Sequence, residues 1–254
     1  MATSISPITV LIIGNGVAGP VLAMALKQQT PHKVILVDAG PEEALPIGAG
    51  LALMPNGLHA LKFIGAEHIV LDKGGRFDYM AVRRADTNAL LVEQPIQELF
   101  TKKYGFSVSL CFARAHVFRE TNDTGPKGHG VVRQEYCGAL RALAKERGVD
   151  MRFNMRLKSI EEKDGAVFAN FTNGETLKGD LLVGCDGIHT VTRAYVVGSD
   201  VKPRFANASV LIALSKLSKE DEKSANLNRG FNMFFGTVAN LGFFPADNDG
   251  TWTW

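Results

Sequence analysis

The stretch Ile12 to Leu26, I-I-G-N-G-V-A-G-P-V-L-A-M-A-L, decides how the rest of this chain is read. Just upstream, Ile8 to Ile13 (I-T-V-L-I-I) is short, apolar and β-branched, the pattern of a strand buried on both faces of a parallel sheet. Downstream, small and aliphatic residues from about Gly16 to Gln28 predict a helix. Pro20 falls in its first turn, where a missing N–H is tolerated. Lys33 to Asp38, K-V-I-L-V-D, predicts a second buried strand that ends on a carboxylate. Strand, glycine turn, helix and strand make a βαβ unit with parallel strands.

The turn carries G-x-G-x-x-G. Gly14 allows a sharp exit from the strand, Gly16 lets backbone approach a pyrophosphate, and Gly19 lets the helix lie close on the sheet. Phosphates would rest at the helix N-terminus, around Ala18, where unpaired N–H groups and the helix dipole favour negative charge. Asp38 stands roughly 20 residues beyond the turn, where a carboxylate accepts hydrogen bonds from a ribose hydroxyl. The expectation is a dinucleotide with an adenosine ribose; NAD and FAD both use this fingerprint.

Outward from this unit, L-A-L-M-P-N-G-L-H-A-L-K-F-I-G-A (Leu51 to Ala66) predicts a turn at Pro55-Asn56, then a helix stopped by Gly65. Phe77 to Val92 and, less clearly, Phe106 to Phe112 predict strands. Gln134 to Gly148 predicts an amphipathic helix. A meander should follow through Met151–Glu162, Ala166–Phe171 and Thr176–Gly184, with a hairpin at Asn173-Gly174. Beyond Asp200, further strands are expected around a charged loop, K-L-S-K-E-D-E-K, with T-W-T-W as a last strand.

Composition is that of an ordinary globular protein: 254 residues, 46% hydrophobic, 21% charged, net charge +2. That balance gives no support for a nucleic-acid partner. Three cysteines without C-x-x-C spacing suggest free thiols in a reducing compartment. No signal peptide or spanning segment is evident, so a cytoplasmic location is expected.

A second motif follows at Asp180 to Arg193, D-L-L-V-G-C-D-G-I-H-T-V-T-R. Gly184 and Gly187 would let backbone approach a ligand. Asp186 would offer a carboxylate to a ribose or ribityl hydroxyl, and Arg193 a fork for a phosphate or a structural carboxylate. Read alone, the turn leaves binding and structural roles open. His189 reads as a loop or cofactor-contacting residue. His116 and His129 carry too little context for ligands, and Cys185 reads as a small buried residue.

Taken together, the two motifs resemble those of the FAD-dependent aromatic hydroxylases, the single-component flavoprotein monooxygenases of the para-hydroxybenzoate hydroxylase type. Two further stretches are similar: I-G-A-G-L-A-L-M-P-N-G, with Gly48 and Gly50, and V-V-R-Q-E-Y-C-G-A-L, with Arg133. The resemblance implies an α/β fold: a Rossmann-like, three-layer FAD-binding domain over residues 1–75 and 105–200. An inserted, partial β-rich substrate domain would take 76–104 and 201–254. It implies FAD held by Gly14, Gly16, Ala18, Gly19, Asp38, Gly48, Gly50, Arg133, Asp186 and Gly187. NADH or NADPH would be co-substrate, with O2 used to hydroxylate or epoxidise a small aromatic or alkene molecule. No metal and no catalytic triad are expected. Phe231, Phe234, Phe235, Phe243 and Phe244 suit a substrate pocket or a sheet core equally.

One departure stands out. The family's third motif, a G-D with small residues, has no match between Val201 and Trp254. This expectation of a truncated chain leaves open a non-redox reading, a ligand-binding or cyclase-like module. It also predicts unpaired strand edges that a second copy or a partner chain would cover.

Overall fold

The computed structural model describes residues 6–43, 48–96, 127–199, 202–224 and 230–254. The expected strand at Phe106–Phe112, with Cys111 and His116, lies outside them. The chain falls into two compact units, residues 1–46 with 137–210 and residues 47–136 with 211–254.

The first unit is built on four parallel strands in the order β12-β1-β2-β8. These are β1 (Thr9–Ile13), β2 (Lys33–Val37), β8 (Asp150–Arg152) and β12 (Leu181–Gly184). Because side chains alternate along a strand, β1 and β2 serve two layers at once. Leu11, Ile13, Ile35 and Val37 form one core with Leu157, Ile160, Val167, Ala169 and Phe171. Those partners come from an antiparallel sheet of β9 (Leu157–Lys163), β10 (Ala166–Phe171) and β11 (Thr176–Gly179). Val10, Ile12, Val34 and Leu36 are also buried. They face the side where helix α1 (Ala18–Gln29) buries Ala23 and Met24. The expected α/β architecture with a parallel sheet is therefore present, in three layers.

The expected meander needs one correction. Met151 does not begin it: β8 pairs in parallel with β2, Ile35 opposite Asp150. Asn154, at φ 57°, breaks the strand before β9 starts. Thr176–Gly184 likewise divides at Asp180, β11 pairing with β10 and β12 with β1. A stretch that reads as one continuous strand thus changes sheets where one residue turns.

The second unit holds a six-stranded sheet ordered β13-β16-β15-β14-β5-β6. Its strands are β5 (Tyr79–Arg84), β6 (Leu90–Pro95), β13 (Leu214–Lys216), β14 (Gly230–Phe235), β15 (Asn240–Pro245) and β16 (Thr251–Thr253). A smaller sheet joins β3 (Gly50–Leu53), β7 (Gly128–Val132) and β4 (Gly75–Phe77), in that order. The pairing of β3 and β4 with β7 draws residues 48–75 into this unit, where the expected boundaries put them with the first. Close approach explains the glycines of β4 and β7: a Cβ on Gly75 or Gly130 would fall 2.7 or 1.9 Å from Pro245 backbone. Phe231 and Phe244 stack at 5.0 Å and Phe77 tilts against both, so these aromatics form core. Phe243 stacks on Trp252.

Pro55 is the first residue of helix α2 (Pro55–Phe63) rather than part of a turn, as a proline at that position allows. Helix α3 covers His68–Leu71, α4 Arg133–Glu146 and α5 Val191–Val197. The charged stretch expected as a loop contains helix α6, Lys219–Ser224. Ser218 explains it: its Oγ accepts from the Asp221 N–H at 3.1 Å, while its own N–H donates to the Asp221 carboxylate at 3.2 Å. Such a reciprocal cap satisfies backbone groups that a solvated loop would leave to water.

Candidate functional site

The glycine turn is placed by β1 and its two parallel neighbours. At the end of β1 the Gly14 N–H donates to the Val37 carbonyl at 2.7 Å, and the Cys185 N–H donates to the Ile13 carbonyl at 2.7 Å. Gly14 has φ +109°, and a Cβ there would sit 2.2 Å from the Cys185 carbonyl oxygen. The two motifs, 170 residues apart in sequence, are thus brought side by side. Gly19 is equally constrained: a Cβ on it would sit 1.9 Å from the Gly14 carbonyl oxygen. Gly16 differs: a Cβ on it would meet nothing within 4 Å. Two glycines of the motif make the turn compact, and the third leaves open space above it.

Helix α1 begins beside that space. Its N-cap, Val17, provides no side-chain acceptor, and its first turn, with Ala18 and Gly19, contains no acidic residue. The N–H groups of that turn are left for an external acceptor, and the helix dipole favours an anion there.

Asp38 lies just past β2. Its carboxylate accepts from the Asn15 N–H at 2.6 Å and from the Gly40 N–H at 2.7 Å. It ties the glycine turn to the loop after β2, a function the sequence reading did not assign. Each oxygen keeps a further lone pair. Arg141, on α4, was also missed. Its guanidinium donates to the Asn15 carbonyl at 3.2 Å and to the Glu42 carbonyl at 3.3 Å. Next to it, Lys145 pairs with Glu42 at 2.6 Å. The available signal was helical spacing, Arg141 standing about two turns beyond Arg133 on α4.

In the second motif Asp186 serves the start of α5. One carboxylate oxygen accepts from the N–H groups of Val191 (3.0 Å) and Thr192 (3.2 Å) and from the Thr192 hydroxyl (3.1 Å). Thr190 caps the same helix by accepting from the Arg193 N–H at 2.9 Å. Arg193 turns its guanidinium to the Ile188 carbonyl, 3.0 Å away. Gly187 has φ +76° and open space at its Cβ position. Cys185 is half-buried, and burial, with Asp186 beside it, pushes its thiol pKa up, so it stays protonated near neutral pH.

The remaining expected residues belong to the second unit. Gly48 has φ +103°, and a Cβ there would lie 2.9 Å from the Arg133 side chain. The structure therefore brings Gly48 and Arg133 together. At the head of α4 the Arg133 N–H donates to the Ala49 carbonyl at 2.9 Å. The space that Gly50 leaves is filled by Thr253, whose hydroxyl would be 1.8 Å from an added Cβ.

Against known proteins, the family described as FAD binding domain matches residues 7–233. The FAD-dependent urate hydroxylase of Mycolicibacterium vanbaalenii is 26% identical over 200 residues, 78% of this chain and 44% of that protein. The 6-hydroxynicotinate 3-monooxygenase of Pseudomonas fluorescens is 25% identical over 199 residues, 78% of this chain and 45% of that protein. The crystal structure of Klebsiella pneumoniae HpxO complexed with FAD and uric acid superposes with a TM-score of 0.73 at 22% identity. It does so over 96% of this chain and 55% of that one. The chain spans about half the length of the curated relatives it matches.

Proposed function

This chain belongs to the FAD binding domain family, and from that premise we propose that its glycine turn holds the adenosine diphosphate of FAD. The wider proposal is a monooxygenase that uses NADH or NADPH and O2 to hydroxylate or epoxidise a small aromatic or alkene substrate. The observation that carries it is the unequal packing of the three glycines, with Gly14 and Gly19 closed by backbone and Gly16 open. A bare structural turn has no need of open space over uncapped helix amides; a pyrophosphate does.

The residues present fit the group. Amides of the first α1 turn would receive the phosphates, and Asp38, already bonded to the Asn15 and Gly40 amides, has lone pairs left for a ribose hydroxyl. Arg141 fixes the Asn15 carbonyl, which keeps the turn in shape before any ligand arrives. Arg133, with its side chain along Gly48, is the cofactor contact proposed for the second unit, and Asp186 and Gly187 for the α5 end. When bound, FAD would supply the redox chemistry, taking a hydride and passing electrons to O2. Urate and 6-hydroxynicotinate appear in the names of the two relatives, which supports a planar aromatic substrate. Three cysteines without C-x-x-C spacing accord with a reducing, cytoplasmic setting.

The test is an FAD titration followed by flavin fluorescence and calorimetry. Wild-type chain should bind FAD. Asp38→Ala and Arg133→Met should each weaken binding by roughly tenfold to a hundredfold, the scale of a lost charge-assisted hydrogen bond. Wild-type chain that leaves the flavin spectrum and heat signal unchanged would refute the proposal.

A further inference from the structure

Gly242 lies in the interior of β15, where a glycine weakens a strand and calls for a local reason. Among the described residues the usual reasons are missing. The β14–β15 ladder runs without a slip from Asn232 opposite Phe243 to Phe235 opposite Asn240, so there is no bulge. The φ of Gly242 is not in the left-handed range. Close packing does not explain it either. A Cβ on every other glycine of the described strands would fall within 2.8 Å of a neighbouring atom, as Gly230 does at 2.2 Å from the Tyr79 ring. A Cβ on Gly242 would meet nothing within 4 Å.

The open space has apolar borders. Strand register sets Gly242, Met233, Val82 and Val92 in one row across four strands, with their Cβ positions on one face. Met233 and Val82 are partly exposed and Val92 is 54% exposed, so solvent reaches the row. Two residues along each strand, and hence on the same face, Phe244 and Phe231 stack at 5.0 Å with Phe77 against both. The face is thus covered at the phenylalanine row and bare at the next, about 7 Å away. Neither row carries a charged side chain. Beyond the bare row stands Arg84, whose charge is taken up by Asp86 at 2.9 Å.

We propose that this face is a binding site for an uncharged, apolar ring and that Gly242 is its specificity-determining residue. A ring seated over Gly242 would extend the apolar layer that Phe231, Phe244 and Phe77 begin. An anionic ring would lose water there and find no countercharge. A role in choosing the substrate rests on the monooxygenase reading above, but binding is measured without flavin, so either can fail alone.

Indole is the probe, with indole-3-carboxylate as its anionic counterpart, measured by calorimetry and thermal unfolding on the full chain with no flavin added. Indole should bind one to one and raise Tm, and indole-3-carboxylate should bind weaker by about tenfold or more. Gly242→Val fills the space and should raise the indole Kd by about tenfold or more. Its Tm without ligand should hold or rise, since a β-branched residue suits a strand better than glycine. Gly242→Ala, the smallest addition, should give an intermediate Kd; if Gly242→Val does not fold, this second variant decides. A glycine needed only for packing would behave otherwise, with Tm falling and indole binding unchanged. Wild-type chain that does not bind indole, equal binding of the two probes, or undiminished indole binding in the deciding variant overturns the site and leaves the FAD titration untouched.

Discussion

His129 shows at the scale of one residue what folding does to an ionisable group. It is 7% exposed on β7, opposite Leu53 and Arg76, and its Nδ1 has no hydrogen-bond partner among the described residues. Burial, then the Arg76 charge, lower its pKa from 6.5 to about 4, against smaller opposing effects of Asp78 and the Lys127 backbone. The native ring is therefore neutral where the unfolded one begins to charge. Below the unfolded pKa the unfolded chain binds the extra proton, so stability falls as pH drops from about 6.5 to about 4 and levels off beneath. A shift of this size is worth roughly 3 kcal/mol at full effect. Urea unfolding from pH 4 to 8 should show that slope, and His129→Gln should flatten it; an unchanged slope would show that other groups set it. Sequence alone gave no hint. The histidine is buried by strands that meet it from 50 to 80 residues away, whereas the turn at Gly14 was readable because an apolar strand running into glycines is a pattern of adjacent residues.

The glycine turn and its helix are the element where sequence and structure agree most closely, since a turn, a helix start and a strand end are all fixed by neighbours in sequence. Elsewhere the agreement fails wherever a single residue redirects the chain. Asn154 and Asp180 each split an expected strand between two sheets, and Ser218 converts a charged run into a helix. Capping and sheet exchange depend on one hydrogen bond, which hydrophobic period does not register. The turn itself offers a separation of folding from binding. Gly16→Ala adds a methyl to open space, so Tm should stay near wild type while FAD binding falls sharply, the methyl standing where backbone must approach phosphate. Gly19→Ala drives its methyl into the Gly14 carbonyl, and should lower Tm and FAD binding together by overpacking of about 1–3 kcal/mol. Thermal unfolding beside FAD titration reads both. A Gly16→Ala chain that keeps its flavin affinity would mean that the open space does not receive the pyrophosphate.

Over the whole molecule, two groups of exposed apolar residues stand at the two ends of the six-stranded sheet. Leu90, Leu91 and Val92 on edge strand β6 are about half exposed, and at the opposite edge Val210 and Leu211 are 80% and Ile212 54% exposed, just before β13. Next to them the Ala213 and Trp254 backbones exchange hydrogen bonds of 2.8 and 3.1 Å, extending the β13–β16 ladder by one residue. A run of apolar side chains beside a strand edge that is unpaired among the described residues is what a second polypeptide would cover, and water is a poor substitute. The expected outcome is concentration-dependent self-association through this edge. Leu211→Lys with Ile212→Lys should suppress it, because charge on an edge strand disfavours pairing, and should leave Tm within about 1 kcal/mol of stability, as surface changes usually do. Sedimentation velocity over a hundredfold range of protein concentration, roughly from free to associated for a micromolar contact, separates the outcomes. If the wild-type chain sediments as a monomer throughout, or the double variant associates as strongly, then the apolar edge is no interface and its exposure is borne by the isolated chain.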